Sequence, residues 1–365
     1  MTREPIPVLV GAIGGSGHGE QILKALRLAK PGSYRIIGGD MSEQCPQFAL
    51  VDVPVILPRA TAPEYIDAIL GLAAKYGVKA VFHGCEPELK VLSRERARLE
   101  AAGILVPVNP AAVIDTCMDK VETAAFLHKH GFKTPRFEIL DADSDIGKID
   151  FFPVVVKPYR DSGGSQNTFI AQTPRELEII SEYVRATANS FMVQEYVGDY
   201  RQEFTVGVLH DFDGNYINSI AVHRALNSGL NMRTAVRNLT GRKELGEWLV
   251  ISSGISHGYI DRFPEVTRTC EAIAAALGAR GPINVQCRLV DGEVYVFEIN
   301  PRFSGTTSLR AMVGYNEPDI LLKLHLRGER TEPRFEYGKG WIIRSLNETM
   351  LTDAKVSSWK DLIAG

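Results

Sequence analysis

Three residues with oxygen-bearing side chains, Gln286, Glu298 and Asn300, interrupt an otherwise strand-like stretch, 283-INVQCRLVDGEVYVFEINPRFSGTTSLR-310. Glu298 and Asn300 are two apart, so they project from the same face of a strand. Gln286 precedes Glu298 by twelve residues, a spacing that suits a facing position across a short hairpin turning at Asp291-Gly292. Burying a carboxylate and two amides is costly unless partners are supplied. Side-chain oxygens without thiol or imidazole are what Mg²⁺ (or Mn²⁺) prefers, and Mg²⁺ commonly keeps substrate phosphates among its ligands. A polar hairpin facing water is the plainer alternative. Val294, Val296, Phe297 and Ile299 leave little to make such an outer face.

A metal held this way implies a nucleotide, and residues suited to one occur upstream. Lys157 ends the apolar run PVVVK and precedes the loop 161-DSGGSQN-167, where Ser162, Gly163, Gly164 and Ser165 supply backbone N–H groups able to wrap phosphate oxygens. Lys120, in MDK, is a second cation. Gln194 and Glu195 in VQEYV offer an edge to an adenine amino group, and Glu203 an acceptor for ribose hydroxyls. Taken singly, each has a bland reading as a solvated charge or a turn; their order and spacing carry the inference.

The elements that must position these groups fall into three segments, 1–112, 113–195 and 196–365. The first alternates apolar runs (Val8–Ile13, Tyr34–Asp40, Pro54–Pro58, Ala80–Gly84, Ile104–Asn109) with helical stretches, which predicts a parallel sheet wrapped by helices. Its loop 11-GAIGGSGHG-19, with Asp40 near the end of the second run, admits a dinucleotide fingerprint, but a tight strand-to-helix turn is the preferred reading. The second segment opens with a helix, DTCMDKVETAAFLHKHG, stopped at Gly131, and continues with strands and a helix from Pro174 to Thr187. The third is rich in hairpin signals. The fold class expected is α/β, becoming α+β in the C-terminal part.

Composition sets the outer limits. The chain has 365 residues, a formal net charge of −3, 45% hydrophobic and 23% charged residues, which suits a soluble multidomain protein with no nucleic-acid or membrane partner. Five scattered cysteines without a CxxC pair, and a strand-like run close to the N-terminus, fit reduced thiols in the cytoplasm.

The ordered motifs MDKVETAAFL, KPYRDSGGSQN, VQEYV, QEFTV and INVQCRL…VYVFEINPRFSG resemble the ATP-grasp superfamily, and within it the modules of the carbamoyl-phosphate synthetase large subunit. The resemblance covers nearly the whole chain. It implies a Rossmann-like pre-ATP-grasp domain followed by a two-subdomain ATP-grasp fold, with 113–195 as a lid. By resemblance, Lys120 and Lys157 contact ATP phosphates, Glu195 with Val197 holds adenine, and Glu203 holds ribose. Gln286, Glu298 and Asn300 hold Mg²⁺, and Arg302 stabilises the transferred phosphoryl group. The sequence departs from the pattern at Asn167, where a further glycine is usual, and Gln286 stands where many members have an acid.

The activity implied is ligation of a small-molecule carboxylate to an amine, with a small-molecule kinase or a non-catalytic nucleotide-binding module as rivals; a homodimer is left open. Substrate contacts are expected from Arg224 and Arg233 in 223-HRALNSGLNMR-233, and from Ser304, Gly305 and Arg310 past the metal residues. Arg224 and Arg233 read equally well as surface charges.

Overall fold

The computed structural model describes residues 4–15, 17–140, 146–160, 167–187, 191–349 and 356–364. The N-terminal part runs β1 (Ile6–Val10), α1 (His18–Arg27), β2 (Tyr34–Asp40), β3 (Val53–Ile56), α2 (Tyr65–Tyr76), β4 (Ala80–Phe82), α3 (Glu86–Arg94) and α4 (Arg96–Ala101). Its strands are parallel in the order β3-β2-β1-β4. The runs are almost wholly buried because helices cover both faces, as parallel sheets require. In the glycine loop after β1, the Gly14 N–H donates to Asp40 Oδ2 at 2.8 Å. The acid that a dinucleotide reading would give to ribose closes the turn.

Two expectations for this region need correction. Ile104–Asn109 is not a full strand; it forms a single parallel bridge, Ala80 to Leu105, and Pro107 lacks the N–H a ladder needs. The helix over DTCMDKVETAAFLHKHG is two helices, α5 (Ala111–Met118) and α6 (Lys120–Lys129). Asp119 breaks it with extended backbone, its side chain accepting from the N–H groups of Val121 and Glu122. A carboxylate at an N-cap satisfies donors that a continuous helix would bond internally. The break puts Lys120 at the first helical position.

A four-stranded antiparallel sheet follows, built from β5 (Phe137–Leu140), β6 (Val154–Pro158), β7 (Phe169–Ala171) and β8 (Phe191–Glu195) in the order β5-β8-β6-β7, with α7 (Pro174–Thr187). The remainder contains β9 (Glu203–His210), β10 (Tyr216–Arg224), β11 (Met232–Arg237), β12 (Trp248–Ser252), β13 (Gly258–Asp261), α8 (Pro264–Ala276), β14 (Pro282–Val290), β15 (Glu293–Asn300), α9 (Thr307–Met312), α10 (Glu317–Arg327), β16 (Gly340–Ile342) and α11 (Trp359–Ala364). Six of its strands form one antiparallel sheet in the order β15-β14-β9-β10-β13-β16, while β11 and β12 pair alone. One apolar cluster joins Val8, Val10 and Ile22 to Leu209, Ile220, Phe303 and Tyr315, locking the parallel sheet onto the large one. Asn109 adds a polar latch, its amide donating to the carbonyls of Pro282 and Pro301 at both ends of the β14–β15 hairpin. Among the described residues no helix is long and apolar enough to cross a membrane.

Arg310 is a pillar of this assembly and not an open substrate contact. It is 1% exposed, donates to Asn284 Oδ1 at 2.6 Å, and pairs with Glu317 at 3.2 Å. It fills the space beside Gly207, where a Cβ would lie 2.3 Å from Nη1. Removing one partner of such a pair strands a buried charge. Glu317→Ala should therefore cost about 3–5 kcal/mol, read as a lowered midpoint in chemical denaturation.

Candidate active site

The β14–β15 hairpin turns at Asp291-Gly292, both left-handed with φ of 50° and 79°, as the tight turn requires. Pairing runs from Val290 with Glu293 to Cys287 with Val296, and then slips by one residue, so that Gln286 faces Glu298 and Asn284 faces Asn300. Phe297 is the extra residue of a bulge. In unbroken register Phe297 would face Gln286, and Glu298 would lie on the opposite face. The bulge therefore gathers Gln286, Glu298 and Asn300 on one side, where the Asn300 amide donates to Glu298 Oε1 at 3.0 Å.

That side faces a cavity between the small and large sheets. Lys120, Lys157, Gln194, Glu195, Val197, Glu203, Gln286 and Glu298 all line it, with Val155, Val250, Ile251 and Tyr295 as apolar wall. The slot combines an apolar wall with two lysines, a lining suited to a base and to phosphates. Lys157 is brought in by β6; its ammonium is buried and donates to Gln194 Oε1 at 2.7 Å and to the bulge carbonyl of Phe297 at 3.3 Å. Gln194 thus serves the lysine directly. Lys120 is anchored by its backbone N–H to Tyr159 O, which ties the start of α6 to the end of the β6 region.

The charges are mutually dependent. Burial pushes the Lys157 ammonium down to about 7, nearby Lys120 pushes it the same way, and Glu298 only partly opposes them. Burial pushes the Glu298 carboxyl up, yet Lys120, Lys157, the Asn300 amide and Arg302 outweigh it and hold the group below the usual carboxylate range. An ionised carboxylate beside two lysines is a site that can take a cation and a polyanion together. Arg302 donates to Asn300 Oδ1 at 2.8 Å and pairs with Glu86 of α3 at 3.1 Å. Sequence reasoning missed Glu86, whose contact spans more than 200 positions.

The other expected residues divide. Glu203 lines the cavity, but its oxygens are engaged by Arg224 at 2.7 Å and Arg288 at 3.1 Å, leaving only spare lone pairs for a ribose hydroxyl. Arg224 is spent on that pair, on Ser252 Oγ and on the carbonyl of Ser253, which corrects its assignment as a substrate contact. Arg233 is exposed on β11, outside the residues lining the cavity. Ser304 is buried and bonds Thr306 within its own loop, and the Gly305 carbonyl accepts from Arg344. Val197 keeps its carbonyl on Arg288. Ser162, Gly163, Gly164 and Ser165 lie outside the described residues. Asn167, just past them, has φ of 51°, the left-handed backbone that a glycine would otherwise supply.

Comparison with known proteins finds three matching stretches of the chain. Residues 12–107 match a family model described as PylC-like, N-terminal domain, and residues 117–210 match a RimK-like ATP-grasp domain. Residues 250–349 match a model described as ATP-grasp in the biosynthetic pathway with Ter operon. The chain is an ATP-grasp protein.

Its curated relatives include the carbamoyl phosphate synthase large chains of Micrococcus luteus, 24% identical over 251 residues (67% of this chain, 21% of that one), and of Mycobacterium sp. strain JLS, 29% identical over 219 residues (57% and 18%). The chain thus spans about a fifth of the length of the relatives it matches. Solved ATP-grasp folds superpose over most of its length. N5-carboxyaminoimidazole synthetase from Staphylococcus aureus complexed with ADP gives a TM-score of 0.65 at 15% identity, covering 92% of this chain and 81% of that one. The L-amino acid ligase from Bacillus licheniformis gives 0.61 at 18%, covering 89% and 75%.

A triphosphate bound in this cavity would stabilise the charged form of Lys157 and raise its pKa from about 7. At pH 8 the free lysine is mostly neutral, so binding should take up as much as about one proton, falling toward zero at pH 6, where the lysine is already charged. Calorimetry in buffers of different ionisation enthalpy measures this uptake, and Lys157→Met should remove it.

Proposed function

We propose that this ATP-grasp protein is an ADP-forming ligase that activates a small-molecule carboxylate as an acyl phosphate and joins it to an amine. The observation that carries the reading is the convergence of Lys120, Lys157 and Arg302 on Glu298, beside a bulged hairpin that presents Gln286 and Asn300 with it. The donor set is oxygen-only, with one carboxylate and two amides, which fits Mg²⁺ that keeps phosphate oxygens as its remaining ligands. When bound there, Mg²⁺ neutralises phosphate charge during transfer.

The chain's own residues supply position and charge. The apolar wall takes the adenine, and Glu195 with Val197 lies at the strand end where the base would be read. Lys120 and Lys157 bind the phosphates, and Arg302 faces the charge that builds on the transferred group. A substrate carboxylate oxygen attacks Pγ and ADP leaves. The amine then attacks the acyl carbon, phosphate leaves, and the amine nitrogen gives up a proton. Phosphoryl transfer asks for this kind of orientation and electrostatic support, with no protein nucleophile. Gln286 in place of an acid leaves the metal face with a single negative charge, which favours binding the metal together with the nucleotide.

Pools of amino acids and small carboxylic acids, incubated with Mg-ATP and hydroxylamine, test the reading. A ligase releases ADP and forms a hydroxamate from the trapped acyl phosphate. Glu298→Ala should lower ADP release by at least about a hundredfold while its melting curve stays cooperative. ADP without hydroxamate in any pool would contradict ligation and favour transfer to a hydroxyl.

A further inference from the structure

Arg288 lies within INVQCRL, two residues past Gln286 on β14, yet neither the metal set nor the phosphate contacts use it. Its register partner across the β9–β14 pair is Glu203, the first residue of β9. The side chain is buried and lines the same cavity as Glu195, Val197 and Glu203.

Each nitrogen of the guanidinium is engaged. Nη2 donates to Glu203 Oε2 at 3.1 Å and to the Val250 carbonyl at 3.3 Å, and Nε reaches the same Glu203 oxygen at 3.4 Å. Nη1 donates to the carbonyls of Val197 and Gly198 at 3.1 and 3.2 Å. The guanidinium carbon stands 4.5 Å from the centre of the Tyr196 ring. Arginine can serve so many acceptors at once because its donors leave a rigid plane in fixed directions; a lysine would satisfy fewer of them.

Those acceptors belong to separate elements. β8 of the small sheet ends at Glu195 and β9 of the large sheet begins at Glu203, so residues 196–202 are the crossing between the two. Arg288 holds that crossing near both ends, at the Val197 and Gly198 carbonyls and at Glu203. Through Val250 it also holds β12, which supplies part of the apolar wall. Glu203 is divided between two arginines. Arg288 occupies Oε2, while Oε1 takes a single bond, from Arg224 at 2.7 Å, and keeps a lone pair for one further donor. A carboxylate whose plane is fixed in this way can select for a hydroxyl placed against it.

We propose that Arg288 is a positioning residue for the nucleoside sugar: by fixing Glu203 and the Val197–Gly198 carbonyls together, it makes the site select ribonucleotides over deoxyribonucleotides. This rests on the nucleotide part of the ligase reading, with Glu203 as the acceptor for a ribose hydroxyl, and adds the group that makes that acceptor selective.

Titration calorimetry with Mg²⁺ and ADP, 2′-deoxy-ADP or 3′-deoxy-ADP tests this on the wild type, Arg288→Met and Arg288→Lys. The three nucleotides share base and phosphates, so a general loosening of the protein changes their affinities alike and leaves their ratio unchanged. The wild type should bind ADP at least about tenfold more tightly than one of the deoxy forms, as expected for a hydroxyl donating to a carboxylate. Arg288→Met should bring that ratio to about threefold or less, and Arg288→Lys should fall between the two. Arg288→Met leaves Glu203 its short bond to Arg224, so the fold should be kept. Where its melting curve is not cooperative, Arg288→Lys alone decides, and a ratio equal to that of the wild type overturns the proposal.

The outcomes separate the two readings. An undiminished ratio in both variants overturns the role of Arg288 and leaves the nucleotide site standing. A wild type that binds all three nucleotides alike overturns sugar selection at Glu203, again with the nucleotide site standing. A wild type that binds none of them refutes the nucleotide site itself, and the proposal with it.

Discussion

The site is organised by one electrostatic arrangement, the Glu298 carboxylate held ionised among Lys120, Lys157 and Arg302. None of these charges is comfortable alone. Lys157 is buried against neutral acceptors, and Lys120 presses it toward its neutral form. Glu298 offsets part of that repulsion, and it has the lysines and the Asn300 amide to offset its own burial. Unpaired, each group would cost several kcal/mol or lose its charge. The residual excess of positive charge is what a nucleotide triphosphate would satisfy.

The charged groups come from three separate parts of the chain, Lys120, Lys157 and the Glu298–Arg302 segment, so the fold has to deliver them together. The bulge at Phe297 turns Glu298 toward Gln286 and frees a carbonyl for Lys157. Asp119 interrupts a helix so that Lys120 stands at its start. The N-terminal part contributes Glu86, at the start of α3, to Arg302, and the shared apolar cluster with the large sheet keeps that contact in place. The N-terminal part therefore supports the site through Arg302 and does not line its cavity.

Much of this was legible from residue order. The parallel and antiparallel halves, the β14–β15 hairpin and its polar face follow from alternation and turn chemistry, which are local. The helix break at Asp119 was missed because the apolar spacing runs straight through it, and only the cap geometry reveals the interruption. Ile104–Asn109 looked like a strand because its composition is right, while Pro107 denies it a ladder. The arginines were the least legible. Arg224 and Arg310 look like ligand contacts in sequence, yet both are consumed by buried glutamates, 21 and 7 residues away.

The claim on which the account rests is that Glu298 exists to bring metal and nucleotide together. The most direct measurement is ATP affinity by titration calorimetry, with and without Mg²⁺, for wild type and Glu298→Gln. The account predicts that Mg²⁺ strengthens ATP binding to the wild type by at least about tenfold, because the carboxylate otherwise repels the phosphates. Glu298→Gln should bind metal-free ATP more tightly than the wild type and lose most of the Mg²⁺ effect. Equal affinity with and without Mg²⁺ in the wild type, or an unchanged Mg²⁺ effect in Glu298→Gln, would contradict it.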